Sequence, residues 1–139
     1  MFTSSSPSAY TKVGVETGVI EASPHKLILM LFDGAIVALA SARRHMEDKA
    51  IPEKGHDISR AIDIISNGLG ASLNLQVGGE LAERLHSLYD YMARRLLHAN
   101  LHNDLVAIEE VSRLLSELRS AWEEITDDPA VVSANRAAV

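Results

Sequence analysis

Two Glu-x-x-His pairs, Glu53 with His56 and Glu83 with His86, are the residues best suited by type and spacing to metal chemistry. In a four-helix bundle such pairs can hold a di-metal centre, provided that each of the other two helices adds an inward-facing Glu. Glu53 and His56 lie in or beside a Gly/Pro turn, and Glu83 falls between inward apolar positions, so its side chain points away from the core. The first predicted helix offers only Asp33 before its last turn. We therefore predict no metal site.

A second pair, His98 and His102, has the four-residue spacing that places two side chains on one helix face. Asn100 and Asn103 indicate that the helix ends between the two histidines, which favours a surface pair over a metal site. Neighbouring carboxylates on the predicted helices show no sign of the apolar pocket that shifts catalytic pKa values. The sequence also lacks the phosphate-binding, dinucleotide-binding and serine-elbow motifs. We predict that the protein is not an enzyme and needs no cofactor.

The overall composition narrows the class of protein further. The 139 residues carry a formal net charge of -6, which repels phosphate backbones and argues against nucleic-acid binding. Cysteine is absent, so disulfides and thiolate metal sites are excluded, and the composition fits a reducing compartment. Aromatic residues make up only 4%. Aliphatic side chains must therefore fill the core, which suits helix-on-helix packing.

The apolar stretches favour a soluble protein over a membrane protein. The N-terminal residues have neither the basic nor the apolar region of a secretory signal. The most apolar stretch, residues 27–42, is interrupted by Asp33, Gly34 and Ser41, whereas a spanning helix needs about 20 apolar residues. We expect a buried helix here, no membrane insertion and a cytoplasmic location.

Start and stop signals divide the chain into four helices. Ser23-Pro24 is a strong helix start, and Gly78-Gly79 supplies the conformations that end one helix and turn the chain into the next. The predicted helices span residues 24–47, 55–75, 80–99 and 104–125. Because the connections are short, the fold class is all-α, an antiparallel up-down four-helix bundle. The bundle would occupy 23–126, between a short N-terminal arm or cap (1–22) and a flexible C-terminal tail (127–139).

Two of these helices carry more apolar surface than one core requires. In the first helix, one stripe of core residues is predicted at Leu27, Leu31, Ala35, Ala38 and Ala42, which leaves over a second stripe of Leu29, Phe32, Ile36 and Ala40. In the second helix, the core stripe is Ile58, Ile62, Ile65, Leu69 and Leu73, and the extra one is Ala61, Ile64, Gly68, Ala71 and Leu75. The third and fourth helices show single inward stripes, Leu81, Leu85, Leu88, Met92 and Leu96 in the third.

The extra stripes predict a binding surface or a covered one. Gly inside a helix costs roughly 1 kcal/mol relative to Ala, so Gly68 and Ala71 suggest that another backbone approaches there. Asn67 and Asn74 lie beside that stripe and are suited to hydrogen-bond such a backbone. An outward apolar stripe needs a covering segment or a partner. The N-terminal arm, a dimer partner and a foreign helical segment all remain open on this pattern.

Several ordered blocks of the sequence resemble the FliS family. Residues 22–35 (ASPHKLILMLFDGA) resemble the opening of that family's first helix, with Phe32 in place of a Tyr. Gly78-Gly79-Glu80, residues 88–92 (LYDYM), Arg95-Leu96 and Ala99-Asn100 resemble its third helix, and Leu118-Arg119 with Ala121-Trp122 resemble the end of its fourth. Tyr10 stands where the family has an N-terminal tyrosine. The C-terminal tail matches no family pattern.

The resemblance implies a bacterial cytosolic export chaperone with an N-terminal cap. Members of this family bind the disordered C-terminal segment of flagellin, prevent its premature polymerisation and present it to the flagellar type III export gate. The resemblance further implies that Tyr10 and Val13 belong to the cap, and it ties this cap to docking on the export gate. The alternative is a non-catalytic adaptor bundle that forms a weak homodimer through its extra apolar stripes. The predicted partner-binding residues are Tyr10, Val13, Leu29, Phe32, Ile36, Ile64, Asn67, Gly68, Ala71, Asn74 and Leu75.

Overall fold

The computed structural model describes residues 23–125, apart from the side chains of residues 75 and 76. The helices are α1 (Pro24–Glu47), α2 (Ile51–Asp63), which continues as a π-helix (Ile64–Gly70), the short α3 (Leu73–Gln76), α4 (Gly79–His102) and α5 (Leu105–Glu124). Within residues 23–125 there is no strand, and the all-α four-helix bundle is confirmed, with α2, the π-helix and α3 together forming its second member.

Helix caps explain where α1 and α5 begin. The Ser23 side chain accepts a hydrogen bond from the backbone N–H of Lys26 at 3.1 Å, and Pro24 occupies the first turn. The Asp104 side chain does the same for the N–H of Ala107 at 3.3 Å. This hydrogen bond lowers the pKa of Asp104, because it stabilises the carboxylate.

The second member of the bundle differs from the single α-helix predicted at 55–75. It begins at Ile51 because Pro52, expected to punctuate the preceding turn, instead lies in the first helical turn, where its missing N–H is not needed. Its middle is a π-helix. The stretch from Ser66 to Gly70 consists largely of Ser, Asn and Gly, weak α-helix formers that yield to the packing of their neighbours.

The end of α4 also differs from the prediction. The helix runs to His102, three residues beyond the predicted end, and Asn103 ends it in the left-handed conformation with φ 51°. Asn tolerates this conformation better than most residues other than Gly. His98 and His102 therefore share one helix, with ring centroids 4.6 Å apart.

Contacts between helix ends show that neighbouring helices run antiparallel. The end of α1 contacts the start of α2 through His45 and Asp57, and the start of α2 contacts the end of α4 through Lys54 and Asn100. The late part of α4 contacts the early part of α5 through Arg95 and Glu110. The start of α1 contacts the end of α5 through His25 and Trp122. The topology is therefore up-down-up-down.

The buried core is mostly aliphatic and corrects two sequence-based assignments. Phe32 is only 2% exposed, so its assignment to an outward stripe is wrong. Leu81 is 52% exposed although the sequence placed it inward. The larger core side chains are Ile28, Phe32, Leu39, Ile58, Ile65, Leu69, Tyr89, Met92, Leu96, Ile108, Val111, Leu115 and Trp122.

Helix α1 is long and apolar enough to cross a membrane, by length and composition. Its buried residues are His25, Ile28, Phe32, Ala35, Ala38, Leu39 and Ala42. They recur at three- and four-residue spacing and join the common core. This pattern is that of a bundle helix that packs along one face.

Lys54 is a buried cation, 3% exposed, near the C-terminal end of α4. Its ammonium donates hydrogen bonds to the carbonyl of Asn100 at 2.9 Å and to Oδ1 of Asn103 at 2.5 Å. A cation at a helix C-terminus is stabilised by the helix dipole.

We expect Lys54→Met, which preserves the length of the side chain, to lower the free energy of unfolding by about 1.5–3 kcal/mol, the usual worth of hydrogen bonds to a charged group. Urea unfolding measures this, and an unchanged midpoint would contradict it. The exposed Lys26→Met is the control.

Glu110 links α4 to α5 through two hydrogen bonds, from the Tyr91 hydroxyl at 2.6 Å and from Arg95 Nε at 2.8 Å. These bonds, with that of Tyr91 the larger cause, lower the pKa of the Glu110 carboxyl. A lowered folded-state pKa contributes stability that is present above the unfolded pKa and is lost as the pH falls through the folded pKa.

Acidification therefore tests the contribution of Glu110. We expect Glu110→Gln to lose less stability than the unchanged protein as the pH falls below about 4.3, the ordinary Glu pKa. The measurement is urea unfolding at a series of pH values, and Glu109→Gln on the exposed neighbouring position is the control. Parallel curves for Glu110→Gln and the unchanged protein would show that this carboxylate does not contribute.

Candidate binding groove

An open cavity of about 240 Å³ lies at the end of the bundle where α1 and α4 begin and α5 ends. We call it the apolar groove. It is lined by Phe32, Val77, Leu81, Leu85, Tyr89, Leu118, Ala121, Trp122 and Ile125. Apart from the polar atoms of Tyr89 and Trp122, the side chains of this lining are hydrocarbon, so the groove suits apolar groups.

Helical spacing aligns the walls of the groove. Leu81, Leu85 and Tyr89 recur every four residues on α4. Leu118 and Trp122 are four residues apart on α5, and Ile125 follows three residues later, directly after the helix end. Phe32, Tyr89 and Trp122 are buried and form the floor, whereas Leu85, Leu118 and Ile125 are half-buried and Leu81 is exposed. Within residues 23–125, no further element covers this end of the inward faces of the two helices.

A reciprocal contact between His25 and Trp122 fixes one wall. The two rings stack with centroids 4.7 Å apart and an interplanar angle of 15°. Trp122 Nε1 donates to the carbonyl of His25 at 3.0 Å, and His25 Nε2 donates to the carbonyl of Trp122 at 2.8 Å. Because a carbonyl can only accept, this nitrogen of His25 carries the proton. The start of α1 and the end of α5 are therefore held together at the groove.

An ion pair beside the groove ties α1 to α5 as well. Arg119 donates to both oxygens of Asp33 and also pairs with Glu123 at 3.3 Å. The bond to Asp33 is the largest cause of the raised pKa of Arg119, since it stabilises the guanidinium. The pair lies one residue from Leu118 and places fixed charges close to an otherwise apolar wall.

The sequence-predicted stripe on α1 is divided by the fold. Phe32 forms part of the floor of the apolar groove. Leu29 and Ile36 are half-buried and pack against the core. Ala40, the last member of the stripe, is exposed. The large apolar side chains that α1 exposes are Met30 and, at 67%, Val37, and both lie outside the predicted stripes.

The predicted stripe on the second helix packs largely against α1. A Cβ added at Gly68 would lie 3.0 Å from Cδ2 of Leu31, so the missing side chain of this glycine leaves room for Leu31. A Cβ added at Gly34 would lie 3.4 Å from Cδ1 of Ile64, in ordinary contact. Ala61 is buried. The small residues therefore allow α1 and the π-helix to pack closely within this chain.

The polar members of that predicted surface are exposed. Asn67 donates a hydrogen bond to Asp63 at 2.6 Å, and Asn74 is exposed. Ala71 lines a separate, more polar cavity of about 310 Å³ between the π-helix and α4. Tyr10, Val13 and the side chain of Leu75 lie outside the described residues.

Sequence reasoning missed most of the groove because periodicity cannot distinguish a covered stripe from an open one. Leu81 and Leu85 were predicted as inward positions, but in the groove wall Leu81 is exposed and Leu85 is half-buried. Whether another element covers such a stripe depends on how the helices pack against one another, and no local signal in the sequence reports that packing. Within residues 23–125, no three His, Cys, Asp or Glu side chains are grouped to hold a metal ion.

The fold and the groove together define a class of protein, an all-α helical bundle with an apolar groove at one end. The family model described as Flagellar protein FliS matches residues 6–129, and the chain belongs to this family. FliS proteins form a chaperone family, so the chain is not an enzyme.

Relatives from several bacteria agree with this assignment. The chain is 54% identical to the flagellar secretion chaperone FliS of Salmonella typhimurium over 91% of this chain and 93% of that protein. It is 43% identical to the protein of the same name from Escherichia coli, over 95% and 97%. With the Bacillus subtilis chaperone the identity is 32%, over 84% and 83%. The similarity therefore spans nearly the full length of each protein.

Proposed function

We propose that this protein is a cytoplasmic export chaperone that binds the disordered C-terminal segment of flagellin, prevents its premature polymerisation and delivers it to the flagellar type III export apparatus. The observation that carries the proposal is the open apolar groove at one end of the bundle. Its relatives are flagellar secretion chaperones by name, which supports an export substrate as the partner.

The groove suits a segment that becomes helical on binding. An amphipathic helix places apolar anchors at i, i+3, i+4 and i+7 into a trough of matching side chains. A disordered segment loses conformational entropy as it orders, and burial of its apolar face against Leu81, Leu85 and Leu118 offsets that cost. At about 240 Å³ the groove holds few side chains, which limits the affinity and permits release at the export apparatus.

The N-terminal arm has a proposed part in this cycle. In keeping with the family, Tyr10 and Val13 cap an apolar surface of the empty chaperone and take part in docking on the export gate. Helix α1 begins at Pro24, beside the His25–Trp122 contact, so the N-terminus of this helix lies at the groove end of the bundle. Competition between this arm and the client would keep the empty protein soluble.

Titration with a peptide of the flagellin C-terminal segment tests the proposal directly. Trp122 is the chain's only tryptophan and lines the groove, so its fluorescence reports occupancy if the peptide contains no tryptophan. We expect saturable binding with a shift in Trp122 emission, confirmed by calorimetry. A scrambled peptide of equal composition is the control. No heat and no emission change at tens of micromolar peptide would rule the proposal out.

The alternative, an adaptor bundle that forms a homodimer, is supported by the apolar side chains Met30 and Val37 on the exposed face of α1. Sedimentation over a wide range of protein concentrations separates the two proposals. A mass that stays monomeric at all concentrations, with client peptide binding, favours the chaperone. A dimer that Val37→Asp dissociates, without peptide binding, favours the adaptor.

A further inference from the structure

The rim of the apolar groove is acidic where α5 forms its wall. Ala121 lines the groove, and Glu117 and Glu124 lie four residues before it and three residues after it. Residues at this spacing share one face of an α-helix. The two carboxylates therefore border the apolar lining, and both residues are exposed.

The two arginines next to the groove lining are engaged with other carboxylates. Arg84 pairs with a glutamate within α4 at 2.8 Å, and Arg119 pairs with carboxylates on α1 and α5. Glu117 and Glu124 belong to none of the ion pairs formed within residues 23–125. Their negative charge is therefore left to interact with a bound segment.

The end of α5 adds to this negative charge. Its last turn holds Glu123 and Glu124 and has no basic residue. The last carbonyl groups of a helix carry the negative end of the helix dipole, where a Lys or Arg side chain is favourable and a carboxylate is not. A cation supplied by a partner would be stabilised at this point by the carboxylates and by the helix end together.

An acidic segment is disfavoured at the same wall. A carboxylate of the partner would lie against Glu117 and Glu124, and like charges repel each other. The positive end of α4, on the other wall, already has Glu80 in its first turn. The charges around the groove therefore complement a basic segment better than an acidic one.

We propose that the segment bound in the apolar groove is basic as well as amphipathic, with a Lys or Arg side chain within one helical turn of its apolar anchors that pairs with Glu117 and Glu124. The inference rests on the proposed chaperone function and deepens it, because it specifies which part of an export substrate the groove selects. The apolar anchors provide most of the affinity, whereas the ion pairs fix the register of the segment and discriminate against acidic competitors.

Calorimetric titration with the flagellin peptide tests this at about 50 mM and about 500 mM NaCl, where surface charges are weakly and strongly screened. The full-length variant Glu117→Gln with Glu124→Gln removes both charges and keeps the shape of the side chains. Its matched control is Glu53→Gln with Glu109→Gln, an equal change in net charge at exposed positions outside the groove lining. A second peptide, in which Gln replaces every Lys and Arg, completes the comparison.

At low salt we expect Glu117→Gln with Glu124→Gln to raise the dissociation constant for the flagellin peptide about three- to tenfold, as suits the loss of two surface ion pairs. At high salt the difference should nearly vanish, and the control variant should bind like the unchanged protein. The peptide without Lys and Arg should bind all three proteins alike. The urea midpoint should not fall, because removing a carboxylate from the end of α5 is favourable for the helix.

The outcomes separate this inference from the proposed function. If the flagellin peptide binds the groove variant and the unchanged protein equally at both salt concentrations, the inference is wrong and the chaperone function stands. An equal loss in the control variant would also overturn it, since net charge alone would then be the cause. The same holds if the peptide without Lys and Arg still distinguishes the two proteins. Failure of the unchanged protein to bind the flagellin peptide would overturn the proposed function, and this inference with it.

Discussion

Leu81→Asp is expected to raise the dissociation constant for the flagellin segment by about 30-fold or more, the effect of losing a contact worth about 2 kcal/mol. Leu81 lies in the wall of the apolar groove, and a carboxylate there would have to lose its water when an apolar segment binds. Calorimetry with the flagellin peptide measures the change.

The fold should tolerate this substitution. Leu81 is 52% exposed in the empty protein, so little packing is lost. It is also in the first turn of α4, where a negative charge interacts favourably with the helix dipole. Helicity and the urea midpoint should therefore stay close to those of the unchanged protein. A variant that unfolds could not be interpreted as a binding variant.

Leu101→Asp is the matched control, because Leu101 is on the same helix, 78% exposed, and at the opposite end of the bundle. It should bind the peptide normally. Ile64→Asp tests the surface that the sequence predicted instead. Ile64 packs beside Gly34 of α1, so this change should reduce stability. If Ile64→Asp abolishes binding in a stable protein while Leu81→Asp binds normally, the groove has been assigned to the wrong face.

Trp122→Ala is expected to have the largest effect on stability, a loss of about 3–5 kcal/mol in the free energy of unfolding. The substitution removes a buried ring, its stack on His25 and the hydrogen bond to the carbonyl of His25. Urea unfolding followed by circular dichroism measures the loss, since the fluorescent residue is removed. A loss below about 0.5 kcal/mol, the range of ordinary surface changes, would contradict this role.

Two further variants separate the parts of this contact. Trp122→Phe keeps a ring but removes the donor, and loss of a typical hydrogen bond costs about 0.5–1.5 kcal/mol. His25→Ala removes the stacking partner and the bond from Nε2 to the carbonyl of Trp122. In a double-mutant cycle the two changes should be coupled rather than additive, because the residues contact each other directly. Strict additivity would mean that the two residues act independently.

Some features of the protein follow from the sequence because they depend on local chemistry. Ser23 and Pro24 are sufficient to start α1, since a side-chain cap and a fixed φ act within one turn. Asp104 starts α5 for the same reason. The three- and four-residue spacing of apolar residues defines four amphipathic helices, and short connections make them antiparallel. The all-α bundle and the absence of recognisable enzyme motifs can therefore be deduced from the sequence alone.

Other features depend on how the helices meet. Gly68 signals a close approach, but only the packed structure shows that the approaching group is Leu31 of α1. Phe32 was predicted to face outward and is buried, whereas Leu81 was predicted to face inward and is exposed. A stripe is covered only where a neighbouring helix packs against it. The π-helix likewise results from packing of a stretch with weak α-helix preference.

By itself, the sequence determined the helices, their order and the family resemblance, because caps, periodicity and motifs are short-range properties of the chain. The tertiary structure alone decided where residues 23–125 leave apolar surface uncovered. Exposure depends on how the members of the bundle pack against one another, since side chains from α1, α4 and the end of α5 line the groove together. The candidate binding groove is a property of this arrangement rather than of any one helix.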